Sequence, residues 1–386
     1  MTQSQQLRKL AARSATAFLL AALCVFPLYI DKFSNLGVVK FTGICTLSWA
    51  FALWLGALAC VGARPDPGRL PWKADPALWA LGAVTASGVV STVLSLSPGA
   101  SFWGLGGYYG GCMMVLFTAA GYLTIRAFAP QKILNGLTFC VGVTTALVTV
   151  LYVLNIFNID LIGTYANTAV VERAQFFSTL GQKNFCSGFM AFALPLVLCF
   201  VLLEQRRYLP SAVLYGVALA IKPQALLFGP VLAVCYLAAI TLEKDRLRAF
   251  GRCFGGAALA LLPPLLTGFP FFGVVQLIPK LIDKYTGTMS GYPYATINAF
   301  NWLAALGGNW KGQADPALFG ISWQQLGCLN ILLVTAGLAY FAVRSVRGGW
   351  FSPLLLAAYY GIGIFTLAHC MHERYMVPGV LLTLLA

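Results

Sequence analysis

The stretch VVKFTGICTLSWAFALWLGALAC, Val38 to Cys60, decides the fold, because apart from Lys40 it is an unbroken run of uncharged, mostly apolar residues. At about 1.5 Å rise per residue such a run crosses a hydrocarbon core of about 30 Å as one helix. Working outward, comparable runs recur at Ala15 to Ile30, Ala77 to Leu96, Gly111 to Ile125, Ile133 to Phe157 and Phe185 to Leu203. Further runs follow at Leu209 to Ile221, Ala225 to Leu242, Cys253 to Phe272, Gln325 to Val343 and Phe351 to Leu367. The whole chain of 386 residues is 59% apolar and 9% charged, against roughly 25% charged in soluble domains. The expected fold is therefore an all-α polytopic membrane protein with about 11–12 transmembrane helices.

The net charge of +14 does not point to nucleic acid, since the basic residues are scattered between the apolar runs and form no stripe or arm. They read as topology signals. The linkers with Arg64, Arg69 and Lys73, with Arg126 and Lys132, and with Arg206 and Arg207 are basic, whereas Ser95 to Gly107 carries no charge. By the positive-inside rule the N-terminus and the basic linkers are cytoplasmic, in a multi-pass protein of the cytoplasmic membrane. Arg8, Lys9 and Arg13 precede the first run, but no small-x-small cleavage site follows it, so it is expected to remain as an uncleaved span. The eleven cysteines show no paired CxxC spacing and imply neither a metal site nor a disulfide framework. The final run, Met376 to Ala386, is too short to span, and the chain reads as truncated there.

This topology collects unusual polar groups on the outer side. His369 and His372 are the only histidines, and His372-Glu373-Arg374 places three consecutive ionisable side chains between apolar runs. A charge at bilayer depth costs roughly 2.5–3.5 kcal/mol on insertion scales, so such a cluster sits at a membrane face or lines a wet cavity. Lys222-Pro223 breaks an otherwise over-long span. Proline favours a first helical turn, so a helix starting there aims free N–H groups at an anion beside the Lys222 ammonium. The alternative is a lysine snorkelling to the headgroups. Between Gly273 and Gln324 a long outer loop is expected, in which Tyr292, Tyr294, Asn298 and Asn301 mix aromatic rings with amides. That mixture suits a sugar and equally suits an interfacial aromatic belt.

Three stretches carry a family resemblance from about Tyr208 onward: Ala220-Ile221-Lys222-Pro223-Gln224-Ala225, Tyr292 to Asn301, and Met371-His372-Glu373-Arg374-Tyr375. Here the chain resembles bacterial mannosyltransferases similar to the second mannosyltransferase of GPI-anchor assembly, in the glycosyltransferase C superfamily. Before about Leu203, Phe26-Pro27-Leu28-Tyr29 and Ser178 to Phe185 resemble the O-antigen ligase family instead. Two parts are therefore expected, 1–207 ligase-like and 208–386 mannosyltransferase-like.

The first resemblance implies a polyprenyl-phosphate sugar donor, a glycan or lipid acceptor, inversion at the anomeric carbon on the extracytoplasmic side, and no separate cofactor or metal. Transfer of this kind needs a carboxylate for the acceptor proton and cations for the departing phosphate. The candidate base is Asp31, in the first outer loop, with Glu373 as substitute. Lys222, Gln224, His372 and Arg374 are the candidate phosphate ligands, joined by Arg173 through the ligase resemblance. Tyr292, Tyr294, Asn298, Asn301 and Tyr375 are the candidate sugar or acceptor contacts. Ligases use a histidine in a large outer loop, yet none occurs here before His369. Transfer of a lipid-diphosphate-linked glycan, a non-catalytic lipid-glycan transporter and an inactive hybrid stay open as alternatives.

Overall fold

A computed structural model describes residues 3–30, 36–63, 75–104, 111–128, 133–163, 176–290, 293–299, 301–372 and 375–386. In chain order the helices are α1 (Gln3–Leu20), α2 (Leu36–Cys60), α3 (Pro76–Val93), α4 (Pro98–Trp103), α5 (Cys112–Phe128), α6 (Leu134–Ile156), α7 (Lys183–Ala191) and α8 (Val197–Glu204). They continue as α9 (Tyr208–Ile221), α10 (Gly229–Leu242), α11 (Arg246–Ser290), α12 (Trp302–Ala305), α13 (Trp323–Gly348), α14 (Pro353–Leu367) and α15 (Met376–Leu385). Among the described residues, four two-residue strands form two small ladders: β1 (Phe176–Phe177) with β2 (Gly181–Gln182), and β3 (Thr296–Ile297) with β4 (Met371–His372).

Among the described residues six helices are long and apolar enough to cross a membrane, and three shorter apolar helices accompany them. The α2 span shows the reason for its exposed surface: Trp49, Leu53 and Trp54 face outward, as side chains in contact with lipid do. The protein is an all-helical, multi-pass membrane protein.

The chain folds as two compact units. Met1–Ala74 and Ser97–Met190 make up the first, and Asp75–Leu96 with Ala191–Leu384 the second. In the first unit α1 packs on α2 through stacked rings of Phe18 and Phe51, 4.2 Å apart, and Trp54 Nε1 donates to Ser14 Oγ at 2.8 Å. Trp49 meets Phe117 of α5 edge-on at 5.7 Å. The first helix begins at Gln3, well before the apolar run at Ala15, because the polar residues ahead of that run are themselves good helix formers. It passes into a π turn, Ala21–Val25, and stops at Pro27.

In the second unit α14 is the central helix. Every residue from Pro353 to Thr366 except Tyr359 is buried, as expected of a helix that is apolar all round. It crosses α15 where Gly361 meets Gly379: a Cβ on Gly361 would lie 3.0 Å from the Gly379 Cα, so small residues set this approach. Gly216 does the same for α9 against α11, since a Cβ there would strike the Ala260 carbonyl and lie 2.9 Å from Pro263 Cδ. Asp75, fully buried, caps α3 by accepting from the Leu78 N–H at 3.1 Å.

The segment from Gly273 to Gln324, expected as a loop, is helical as far as Ser290. Gly273 (φ 61, ψ 177) breaks α11 and redirects it, so that Gly268 comes to face Leu277 and Leu281. Leu277, Leu281 and Tyr285 recur at four-residue spacing and form the inward face, with Tyr285 Oη donating to the Leu219 carbonyl at 3.0 Å. The charges of Lys280, Asp283 and Lys284 lie between them and hide that period in the sequence. Beyond Ser290, the described residues between 293 and 322 form β3, α12 and short bridges and turns around a small core of Ala295, Leu303 and Trp323.

Candidate functional site

The break at Lys222-Pro223 falls where the sequence places it. Helix α9 ends at Ile221, Lys222 is extended (φ −147, ψ 114), and Pro223 opens a 3-10 turn, Pro223–Phe228, that leads into α10. The Lys222 carbonyl accepts from the Ala225 N–H at 3.0 Å and its side chain is buried. Two residues on, Gln224 lines a small cavity with Tyr360, Met371 and Tyr375, and its Oε1 is buried without a hydrogen-bond partner among the described residues. The cavity measures about 20 Å3. That is room for a single water, which needs about 10–15 Å3, and not for a sugar.

The second and third motifs meet as a parallel ladder, with Thr296 opposite Met371 and Ile297 opposite His372. Thr296 Oγ1 donates to the Met371 carbonyl at 3.2 Å, and the Cys370 N–H donates to the Ala295 carbonyl at 2.8 Å. Asn301 ties the same region to the central helix. It is fully buried, its Nδ2 donates to the Phe365 and Ala368 carbonyls at 3.1 and 3.3 Å, and its Oδ1 accepts from the Ala304 N–H at 3.1 Å, capping α12. These bonds commit its amide to protein partners, so Asn301 sets the loop against the end of α14.

Tyr294 and Asn298 belong instead to a half-exposed platform. The Tyr294 ring meets Trp310 edge-on at 5.4 Å, and Trp310 Nε1 donates to Asn298 Oδ1 at 3.1 Å. The Asn298 N–H in turn donates to Asn309 Oδ1 at 2.8 Å. Trp310 is 54% exposed and sits in the left-handed region at φ 61, an uncommon conformation for a bulky side chain. Sequence reasoning missed Trp310 and Asn309; the turn signal Gly307-Gly308 just ahead of them was the available clue.

His372 and Tyr375 lie with ring centroids 6.2 Å apart. His369 packs over Gly327 of α13, where any Cβ would collide with its ring. Burial holds the His369 imidazole below its ordinary value and favours the neutral form. Of the other expected residues, Asp31, Arg173, Tyr292, Glu373 and Arg374 lie outside the described residues. Among the described residues no group of three or more His, Cys, Asp or Glu side chains is placed to hold a metal ion.

In the first unit, two stretches far apart in sequence come together. Thr179 Oγ1 donates to the Pro27 carbonyl at 2.7 Å. Lys40, which sequence reasoning did not single out, donates its three N–H groups to the carbonyls of Phe26 at 2.7 Å, Pro27 at 3.0 Å and Tyr29 at 2.8 Å. The carbonyls left over where the first helix stops thereby find donors, and a lysine near a span end is fully satisfied.

Compared with known proteins, the chain matches no family model, no curated protein and no solved structure.

Proposed function

We propose that this protein is a membrane glycosyltransferase that moves a sugar, mannose by its resemblance, from a polyprenyl phosphate to a hydroxyl of an extracytoplasmic glycan or lipid acceptor, with inversion. One observation carries the reading: three motifs separated by scores of residues gather at one end of the second unit. Thr296-Ile297 pairs with Met371-His372, and Gln224 shares a cavity with Met371 and Tyr375.

In the proposed transfer the acceptor oxygen bonds to the anomeric carbon as the bond from that carbon to the phosphate oxygen breaks. The electron pair leaves on polyprenyl phosphate, and the acceptor proton passes to a carboxylate. Asp31 is that base, with Glu373 as substitute. Lys222, Gln224, His372, Arg374 and Arg173 steady the departing phosphate. Tyr292, Tyr294, Asn298 and Tyr375 contact sugar, Asn301 positions them, and Trp310 joins the set because an exposed ring beside two amides offers both an apolar face and hydrogen bonds. The small cavity at Gln224 has to widen on donor binding.

Kinetics of two variants test the assignment. Lys222→Ala should raise the donor KM about tenfold and leave the acceptor KM unchanged, whereas Trp310→Ala should do the reverse. An unchanged donor KM in Lys222→Ala would assign that lysine to headgroup anchoring.

A second reading is supported by the first unit, where the ligase-like stretches at Pro27 and Thr179 touch. In that reading the donor is a lipid-diphosphate-linked glycan. Offering purified protein each donor in turn separates the two.

A further inference from the structure

The opposite ends of α9, α13 and α14 enclose a second cavity that the proposed transfer does not use. It measures about 210 Å3, against about 10–15 Å3 for one water. Two oppositely charged residues line it: Glu204, the last residue of α8, and Arg206, in the turn that leads to α9. Leu203, Leu242, Val346 and Phe351 supply apolar walls.

Glu204 is anchored through one oxygen only. Its Oε2 accepts from Ser352 Oγ at 3.0 Å and from the Leu354 N–H at 3.4 Å, at the start of α14. No partner is recorded for Oε1 among the described residues. Glu204 keeps an exposed face, and partial desolvation pushes its carboxyl above the ordinary value, a shift that a bound cation would oppose.

Arg206 is held in the left-handed region at φ 59. The N–H groups of Arg206 and Arg207 donate back to the Leu203 and Leu202 carbonyls at 2.9 and 2.8 Å, closing the end of α8. Glycine is the usual residue at such a position, since it alone carries no Cβ penalty there. An arginine held against its backbone preference directs attention to what its side chain does. Among the described residues neither Glu204 nor Arg206 has an ion-pair partner, so the two charges face the cavity without neutralising each other.

We propose that this cavity binds the headgroup of a zwitterionic, amine-bearing phospholipid, with the ammonium on Glu204, the phosphate on Arg206 and the glycerol along the apolar walls. A ligand carrying both charges answers both residues at once. An anionic lipid would satisfy Arg206 but meet repulsion from Glu204. Arg207, Lys244 and Arg248 at the same end attract anionic headgroups in general, so Glu204 is what makes the site selective.

The test titrates the purified full chain in detergent with dihexanoyl phosphatidylethanolamine, dihexanoyl phosphatidylglycerol and free phosphoethanolamine, counting bound ligand by native mass spectrometry. Phosphatidylethanolamine should bind at one saturable site at least about tenfold more tightly than either other ligand. Glu204→Gln and Arg206→Gly should each weaken it about tenfold, and Glu204→Gln should tighten phosphatidylglycerol binding by relieving the repulsion. Because glycine relieves the left-handed turn, Arg206→Gly should also unfold at a higher temperature than the wild type in lipid-free detergent, so its loss of binding is not a loss of fold. Equal affinity for the two lipids, or unchanged phosphatidylethanolamine affinity in both variants, overturns the proposal. Free phosphoethanolamine binding as tightly as the lipid overturns it as well.

Discussion

Replacing Asn301 probes the joint between the second motif and the central helix. In Asn301→Ala the α12 cap is lost, which costs about 1 kcal/mol. The buried Phe365 and Ala368 carbonyls also lose their donor, which adds about 1–3 kcal/mol. The sum of about 2–4 kcal/mol corresponds to a fall of about 5–15 °C in unfolding temperature for a unit of this size. Asn301→Asp separates capping from the rest. It keeps an oxygen for the Ala304 N–H but turns a second oxygen on the two carbonyls that Nδ2 now serves. Burying that charge without a donor makes Asp worse than Ala. Thermal unfolding of purified protein in detergent, followed by tryptophan fluorescence, measures both. The reasoning is refuted if Asn301→Ala melts within a degree of the wild type, or if Asn301→Asp is the more stable of the two.

Other variants test separate contacts. Gly327→Ala drives a methyl into His369 and should destabilise by about 1–3 kcal/mol, seen as a lower unfolding temperature. His369 carries a pH signature. Its folded value is depressed below an unfolded one of about 6.5, so the unfolded chain binds more protons in that window. The stability due to neutral His369 is fully present above about pH 6.5 and is lost as pH falls toward the depressed folded value, and His369→Gln should remove that part of the pH dependence. Lys40→Met strips donors from three carbonyls and should cost about 2–4 kcal/mol in thermal or denaturant unfolding. Thr179→Val, losing one bond to the Pro27 carbonyl, should cost about 1 kcal/mol.

Much of the helical framework is legible because the apolar runs are long and the breaks are chemical. Pro223 ends one helix and opens the next, and Ser322 with Gln325 forms the capping box that starts α13. The helix beyond Gly273 was not legible. Its apolar period is interrupted by Lys280, Asp283 and Lys284, and Pro279 reads as loop. Tertiary partners were hidden for a different reason. Nothing local in Lys40 announces three carbonyls at the end of another helix, and nothing local in Asn301 announces Phe365 and Ala368, because these pairings are set by packing between distant segments. Alternating spans place the 220s, 290s and 370s on one side in the sequence reading, but their contact at one end of the second unit comes from the ladder of Thr296-Ile297 with Met371-His372 and the cavity at Gln224. The Trp310 platform was not legible, since its ring and Asn298 meet only through the bridges of residues 293–322.

Membranes containing the full-length chain, supplied with radiolabelled polyprenyl phosphate mannose and an acceptor, provide the decisive measurement. A labelled mannoside whose anomeric configuration is inverted relative to the donor is the expected product, and it should be absent from the Asp31→Asn variant. Proteoliposomes that carry labelled donor across the bilayer and form no glycosidic bond would contradict the enzymatic assignment.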